Sequence, residues 1–118
     1  MISAPARGQI FFVNLPHDPP GKGPRPVIVV SLDARNRQPR AHTVMVIPLS
    51  TSIHKADHPS YLLLTSGETG LAEDSIARAD DITVVPKTEL IPARTALRTV
   101  SNRRVCELAE KVKLALGC

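Results

Sequence analysis

An arginine closes a loop of prolines and glycines and opens an apolar run. The order is His17-Asp18-Pro19-Pro20-Gly21-Lys22-Gly23-Pro24-Arg25-Pro26, followed at once by Val27-Ile28-Val29-Val30. A second apolar run, Val44-Met45-Val46-Ile47-Pro48-Leu49, ends in the hydroxyl cluster Ser50-Thr51-Ser52. A guanidinium presents a planar fork of donors that can clamp two phosphoryl oxygens, and a hydroxyl can bond and orient the same group. Read as strands, the two runs put a cation and hydroxyls at strand ends. A protein that holds and cuts a phosphodiester needs that equipment.

The elements that must carry these residues are legible as short apolar runs separated by turn chemistry. Gln9–Asn14, Pro26–Ser31, Thr43–Leu49, Tyr61–Thr65, Ser75–Ala77 and Ile82–Val85 read as strands, being short and rich in Val, Ile and Leu. Several are continuous runs, not alternations, so both of their faces should be covered. Thr95–Val100 could add another strand. The breaks are Pro16–Pro24, Asp33–Pro39, Ser52–Pro59 and Ser66–Asp74. Towards the C-terminus the period changes: Val105, Leu108, Ala109, Val112, Ala115 and Leu116 fall on one helical stripe. Ser101 or Asn102 can cap its start, and Gly117 lies where it can stop. Such a pattern predicts a mainly β fold, a small and partly open barrel covered by a C-terminal amphipathic helix.

At 118 residues the chain is expected to form one domain, residues 1–118, around one core. The 42% hydrophobic content argues against a disordered chain. No apolar run approaches the length that spans a bilayer, and the N-terminus lacks the pattern of a signal peptide. A cytoplasmic location and no membrane partner are therefore expected. Cys106 and Cys118, if both on the last helix, would stand about 18 Å apart at about 1.5 Å per residue. A disulfide tolerates about 7 Å between Cα atoms, so free thiols are expected. The net charge of +4 conceals segregation: residues 1–55 hold seven Lys/Arg against two Asp/Glu, 56–90 two against seven, and 91–118 six against two. A basic surface set apart from an acidic one suits a polyanion. Phe11, Phe12 and Tyr61 are the whole aromatic set, too few for a sheet that stacks successive bases. His42, His54 and His58 are scattered without metal-ligand spacing, and neither metal nor cofactor is expected.

Taken in order, several of these pieces resemble the MazF/PemK family of toxin endoribonucleases. They are Arg7-Gly8-Gln9-Ile10, the loop closing on Arg25-Pro26-Val27-Ile28-Val29-Val30, Asp33-Ala34-Arg35-Asn36-Arg37 and Val46-Ile47-Pro48-Leu49-Ser50. Gly70-Leu71-Ala72-Glu73-Asp74-Ser75 and Arg78-Ala79-Asp80-Asp81-Ile82 follow. The resemblance implies an SH3-like barrel of the CcdB/MazF type and a homodimer. It implies sequence-selective cleavage of single-stranded RNA without metal, and a cognate antitoxin with an acidic, largely disordered tail.

Metal-free cleavage of RNA requires a base for the ribose 2′-hydroxyl, a proton for the leaving 5′-oxygen, and stabilisation of charge on the phosphoryl oxygens. The resemblance makes Arg25 the transition-state clamp. Ser50 stands where the family usually carries threonine, with Thr51 as the other candidate hydroxyl. Arg78 and Asp80 match an Arg-x-Asp pair. In an extended segment the two would share a face, with Asp80 as base and Arg78 supporting phosphate or leaving group. A surface ion pair is the plain alternative. His17 and Lys22 lie in the loop before Arg25 as RNA-binding candidates. His17 precedes the arginine by eight positions where some relatives place a histidine at six, and a loop histidine without a role is the alternative. Thr83 stands where many relatives have arginine, and loops Leu15–Pro24 and Ser52–Pro59 are expected to choose the bases. Two other readings compete: a toxin of the same barrel type that binds a protein such as gyrase, like CcdB, and a non-catalytic module that docks RNA or an acidic peptide.

Overall fold

The computed structural model describes residues 4–118. Six strands form an antiparallel sheet: β1 (Ile10–Val13), β2 (Arg25–Val29), β3 (Thr43–Ser50), β4 (Tyr61–Leu64), β5 (Ser75–Arg78) and β6 (Thr83–Pro86). Three helices accompany them, α1 (Asp33–Asn36), α2 (Ser66–Thr69) and α3 (Asn102–Ala115). The main path runs β1-β2-β3-β5-β4, and β6 also pairs with β3. β3 is the shared strand. Residues 43–46 pair with β6, 46–48 with β2, and 49–50 with β5. The sheet is therefore open, mainly β, and closed over by the C-terminal helix.

The continuous apolar runs find cover on both faces. Ile10, Ile28, Ile47, Leu49, Leu64 and Ala77 form one buried cluster with Val105 and Leu108 of α3. On the opposite face Val13, Leu15, Val27, Val29, Val44, Val46 and Val85 form a second. The period of two sends alternate residues of β3 to the two clusters, Val44 and Val46 one way and Ile47 and Leu49 the other. Both faces of the central strands β2 and β3 are largely covered, so polar alternation has no place there, while Leu63 of β4 and Val84 of β6 stay exposed.

Each expected strand is present within a residue or two. Thr95–Val100 is not a strand; it crosses the N-terminal segment, where Val100 N–H donates to Gly8 O at 2.9 Å and Gly8 N–H to Val29 O at 2.7 Å. Gly8 has φ +93°, and a Cβ there would stand 2.4 Å from Val100 O. Three of the expected breaks hold one helical turn each: α1, the 3-10 turn Ile53–Lys55, and α2. α2 is set by a capping box in which Thr65 Oγ1 accepts from Glu68 N–H while Thr65 N–H donates to Glu68 Oε2.

Ser101, not Asn102, caps α3 by accepting from Arg104 N–H. The apolar stripe of α3 buries only Val105 and Leu108, with Val112 partly covered; Ala109, Ala115 and Leu116 are exposed. The helix outruns the surface it covers. Arg104 fastens it, reaching Glu68 Oε1 and Glu107 Oε2 at 2.7 Å each and donating to Leu63 O. Both cysteines are free and exposed. Among the described residues, no helix is long and apolar enough to cross a membrane.

Candidate active site

The strand register assembles the site. β2 pairs with β3 as far as Val27–Pro48, and the same register continued sets Arg25 level with Ser50 beyond the last pair. By the period of two, Arg25 shares a face with Val27, and Ser50 with Pro48. Ser50 pairs in turn with Ile76 of β5, and Arg78, two residues on, pairs with Tyr61 of β4. One face of the sheet thus carries Arg25, Ser50, Arg78 and Tyr61 at neighbouring strand ends. Ser50, Ser52, Tyr61, Ile76 and Arg78 line one cleft of about 40 Å³. It is too small for a base and of a size for a phosphoryl group's oxygens.

Each side chain is held by a named contact. Arg25 Nε lies 2.7 Å from Asp18 Oδ2. Ser50 Oγ accepts from Ser52 N–H at 3.2 Å, which turns the chain out of β3 and leaves the hydroxyl proton for another acceptor. The Arg78 guanidinium sits 5.4 Å from the Tyr61 ring centroid, and Tyr61 is stacked at 4.2 Å on His58. His58 Nδ1 accepts from Ser60 N–H, which fixes the orientation of the imidazole. Burial works to lower the pKa of Arg78, but the Tyr61 hydroxyl and the charge of Asp81 outweigh it and raise the value. Its positive charge is permanent.

The Arg78–Asp80 pair expected from an extended segment does not form. β5 ends at Arg78, and Ala79–Asp81 makes a 3-10 turn. Arg78 Nη2 pairs instead with Asp81 Oδ2 at 3.4 Å, while Asp80 points to solvent. The turn advances each residue by about 120°, so i and i+2 diverge where a strand would align them. Asp81 is therefore the ion-pair partner of Arg78.

Ser50 lies in the cleft; Thr51 is exposed on the bend beyond it. His17 and Lys22 are exposed on the loop before Arg25, which bends at two turns, Asp18 N–H to Leu15 O and Lys22 N–H to Pro19 O. Thr83 opens β6 opposite Val46. Sequence reasoning passed over Asp18, His58 and Tyr61. Tyr61 had a signal, as the one tyrosine of the chain at the start of a strand; the others had none. Among the described residues no group of three or more His, Cys, Asp or Glu is placed to hold a metal ion.

The model of the PemK-like, MazF-like toxins of type II toxin–antitoxin systems matches residues 6–116. The chain belongs to this family. Among solved structures, an endoribonuclease from a mycobacterial species in complex with its cognate antitoxin is 26% identical. That match covers 97% of this chain and 96% of the other, with a TM-score of 0.73. A mycobacterial endoribonuclease is 25% identical over 98% and 94% of the two chains, with a TM-score of 0.72. MazF from Deinococcus radiodurans, at 17% identity, 99% and 100% coverage and a TM-score of 0.74, shares the MazF-like fold. No curated protein sequence matches. With the PemK-like, MazF-like family fixed, the positions of Arg25, Ser50, Arg78 and Asp80 can be weighed as a toxin's site.

Proposed function

We propose that this toxin is a sequence-selective, metal-independent endoribonuclease that cuts single-stranded RNA by attack of the substrate's own 2′-hydroxyl. The observation that carries the reading is the placement of Ser50 and Arg78 in one cleft, with Arg25 level with Ser50 by the β2–β3 register. A hydroxyl and a guanidinium share the cleft, and a second arginine stands at the neighbouring strand end. The structural neighbours described as endoribonucleases support cleavage of RNA.

In this mechanism Arg25 clamps the non-bridging oxygens and stabilises the charge that develops on them. Ser50 Oγ orients the phosphate from the cleft floor. Asp80, exposed on the turn after β5, takes the 2′-hydroxyl proton as that oxygen closes on phosphorus. Arg78, held between Asp81 and Tyr61, stabilises the departing 5′-oxygen, which takes its proton from water. The products are a 2′,3′-cyclic phosphate and a 5′-hydroxyl, with no atom drawn from a metal-bound water. His17, Lys22 and Thr51, exposed on the flanking loops, contact the RNA on either side. The toxin acts as a homodimer in the cytoplasm. Its basic segments, 1–55 and 91–118, receive the acidic tail of a cognate antitoxin; an antitoxin partner is supported by the mycobacterial neighbour, described in complex with its own.

The test is purified protein, a long RNA and a chelator, with the ends of every fragment mapped. Discrete cuts leaving 5′-hydroxyl ends are expected, and a deoxyribose at the cut site should abolish them. A strict Mg²⁺ requirement, or retained cutting of the deoxy substrate, would overturn the mechanism. Intact RNA together with poisoned gyrase would move the protein to the CcdB type of action.

A further inference from the structure

The mechanism above gives Asp18 no part, yet its carboxylate is the ion-pair partner of Arg25. The Nε–Oδ2 separation is 2.7 Å, and the two side chains are 23% and 10% exposed, the aspartate being the deeper. Both facing atoms are shut off from solvent, and neither has an aligned hydrogen bond. The contact is therefore one of charge. Of the arginine's three nitrogens, Nε alone is both buried and without a hydrogen bond. The carboxylate thus engages the stem edge of the guanidinium and leaves the Nη end to meet a ligand.

The loop presents this carboxylate in a set place. Leu15 is buried in the second core cluster, and Asp18 N–H donates to Leu15 O at 3.1 Å. Pro16, Pro19 and Pro20 restrict the backbone around it. Arginine has a long stem with several rotatable bonds, and a fork that wanders must be ordered anew in each transition state.

We propose that Asp18 is a positioning residue, whose charge holds Arg25 by its Nε edge and aims the Nη fork at the substrate phosphate. The proposal rests on the endoribonuclease reading of the site. It carries an opposing effect: a buried negative charge beside a phosphate weakens binding of RNA while it favours the step that follows.

Asp18→Asn preserves shape and removes the charge. It should lower kcat roughly 10–100-fold while the Kd for a non-cleavable RNA, deoxy at the cut site, stays the same or tightens. Asp18→Glu should recover part of the rate. In an Arg25→Ala background Asp18→Asn should have no further effect on kcat. Independently of activity, the Arg25 Nε–H resonance in a ¹⁵N spectrum should show an ordered side chain in the wild type and a mobile one in Asp18→Asn. Cleavage by Asp18→Asn at or above the wild-type rate would mean that Asp18 masks the arginine and does not aim it, and would overturn the proposal. Unchanged Nε–H relaxation would overturn it as well. If the wild type cuts no RNA, the endoribonuclease reading fails, and the Nε–H measurement still decides whether Asp18 holds Arg25.

Discussion

Arg78 is paired with Asp81 and not with Asp80. The 3.4 Å contact from Nη2 to Asp81 Oδ2 closes the 3-10 turn at the end of β5 and leaves the Asp80 carboxylate in water. The two adjacent aspartates are thereby set apart, Asp81 held against a cation and Asp80 exposed.

Asp80→Asn should slow cleavage about 10²–10⁴-fold, the range for loss of a general base, with RNA binding retained. Asp81→Asn should cost only about three- to tenfold, since it weakens one half-exposed contact to Arg78. Single-turnover rates on one RNA measure both. A larger loss from Asp81→Asn would make Asp81 the base.

Arg25→Ala should reduce the rate about 10²–10³-fold, by analogy with the loss of a donor to a developing oxyanion. Ser50→Ala should cost about 10- to 100-fold, one hydrogen bond to a charged group. Thr51→Ala, outside the cleft, should weaken RNA binding slightly and leave the single-turnover rate at saturating RNA unchanged. Equal losses from Ser50→Ala and Thr51→Ala would mean that the hydroxyl in the cleft has no special role.

Gly8→Ala should lower the urea midpoint without changing the slope of the transition. The left-handed backbone and the 2.4 Å approach of a Cβ to Val100 O together should cost about 1–3 kcal/mol. A midpoint equal to wild type would show that the crossing of residues 8 and 100 is loosely held.

Glu68 supplies a pH dependence with a definite sign. Burial raises its pKa, but the Thr65 N–H and the Arg104 guanidinium outweigh burial, so the folded value lies below the ordinary 4.5. A carboxyl depressed by folding contributes stability above its unfolded pKa and loses it as pH falls through the folded one. The stability gap between wild type and Glu68→Gln should therefore be widest near neutrality and narrow on acidification below about pH 4. Denaturant midpoints at a series of pH values measure it; a gap that widens in acid would contradict the ion pair with Arg104.

The strands were legible because four to eight apolar residues between Gly, Pro and Asn/Asp clusters have few other ways to bury themselves. Arg25 and Ser50 could be singled out at strand ends, but their alignment depends on β2 lying beside β3, which no local pattern dictates. The segment after Arg78 was misread as extended. Asp80-Asp81 is a poor strand formed of two residues that sheets disfavour, and that signal was available. The contact of Asp18 with Arg25 was not: it depends on the path of a loop with four prolines and two turns. For α3 the 3.6-residue period gives the face but not the extent of the surface beneath it, so Ala115 and Leu116 were counted inward though both are exposed.

β3 belongs to both halves of the sheet, and Ser50 is its last residue. Activity and architecture therefore share a single point of failure. Freeing Ser50 means unpairing β5, and freeing Arg25 from its level means slipping β2 along the strand whose partners are the two cores. The site cannot fray ahead of the protein, as a site on a dangling loop would. Heating or denaturant should extinguish it in one step with the whole sheet, so that a population of these molecules holds either complete sites or none.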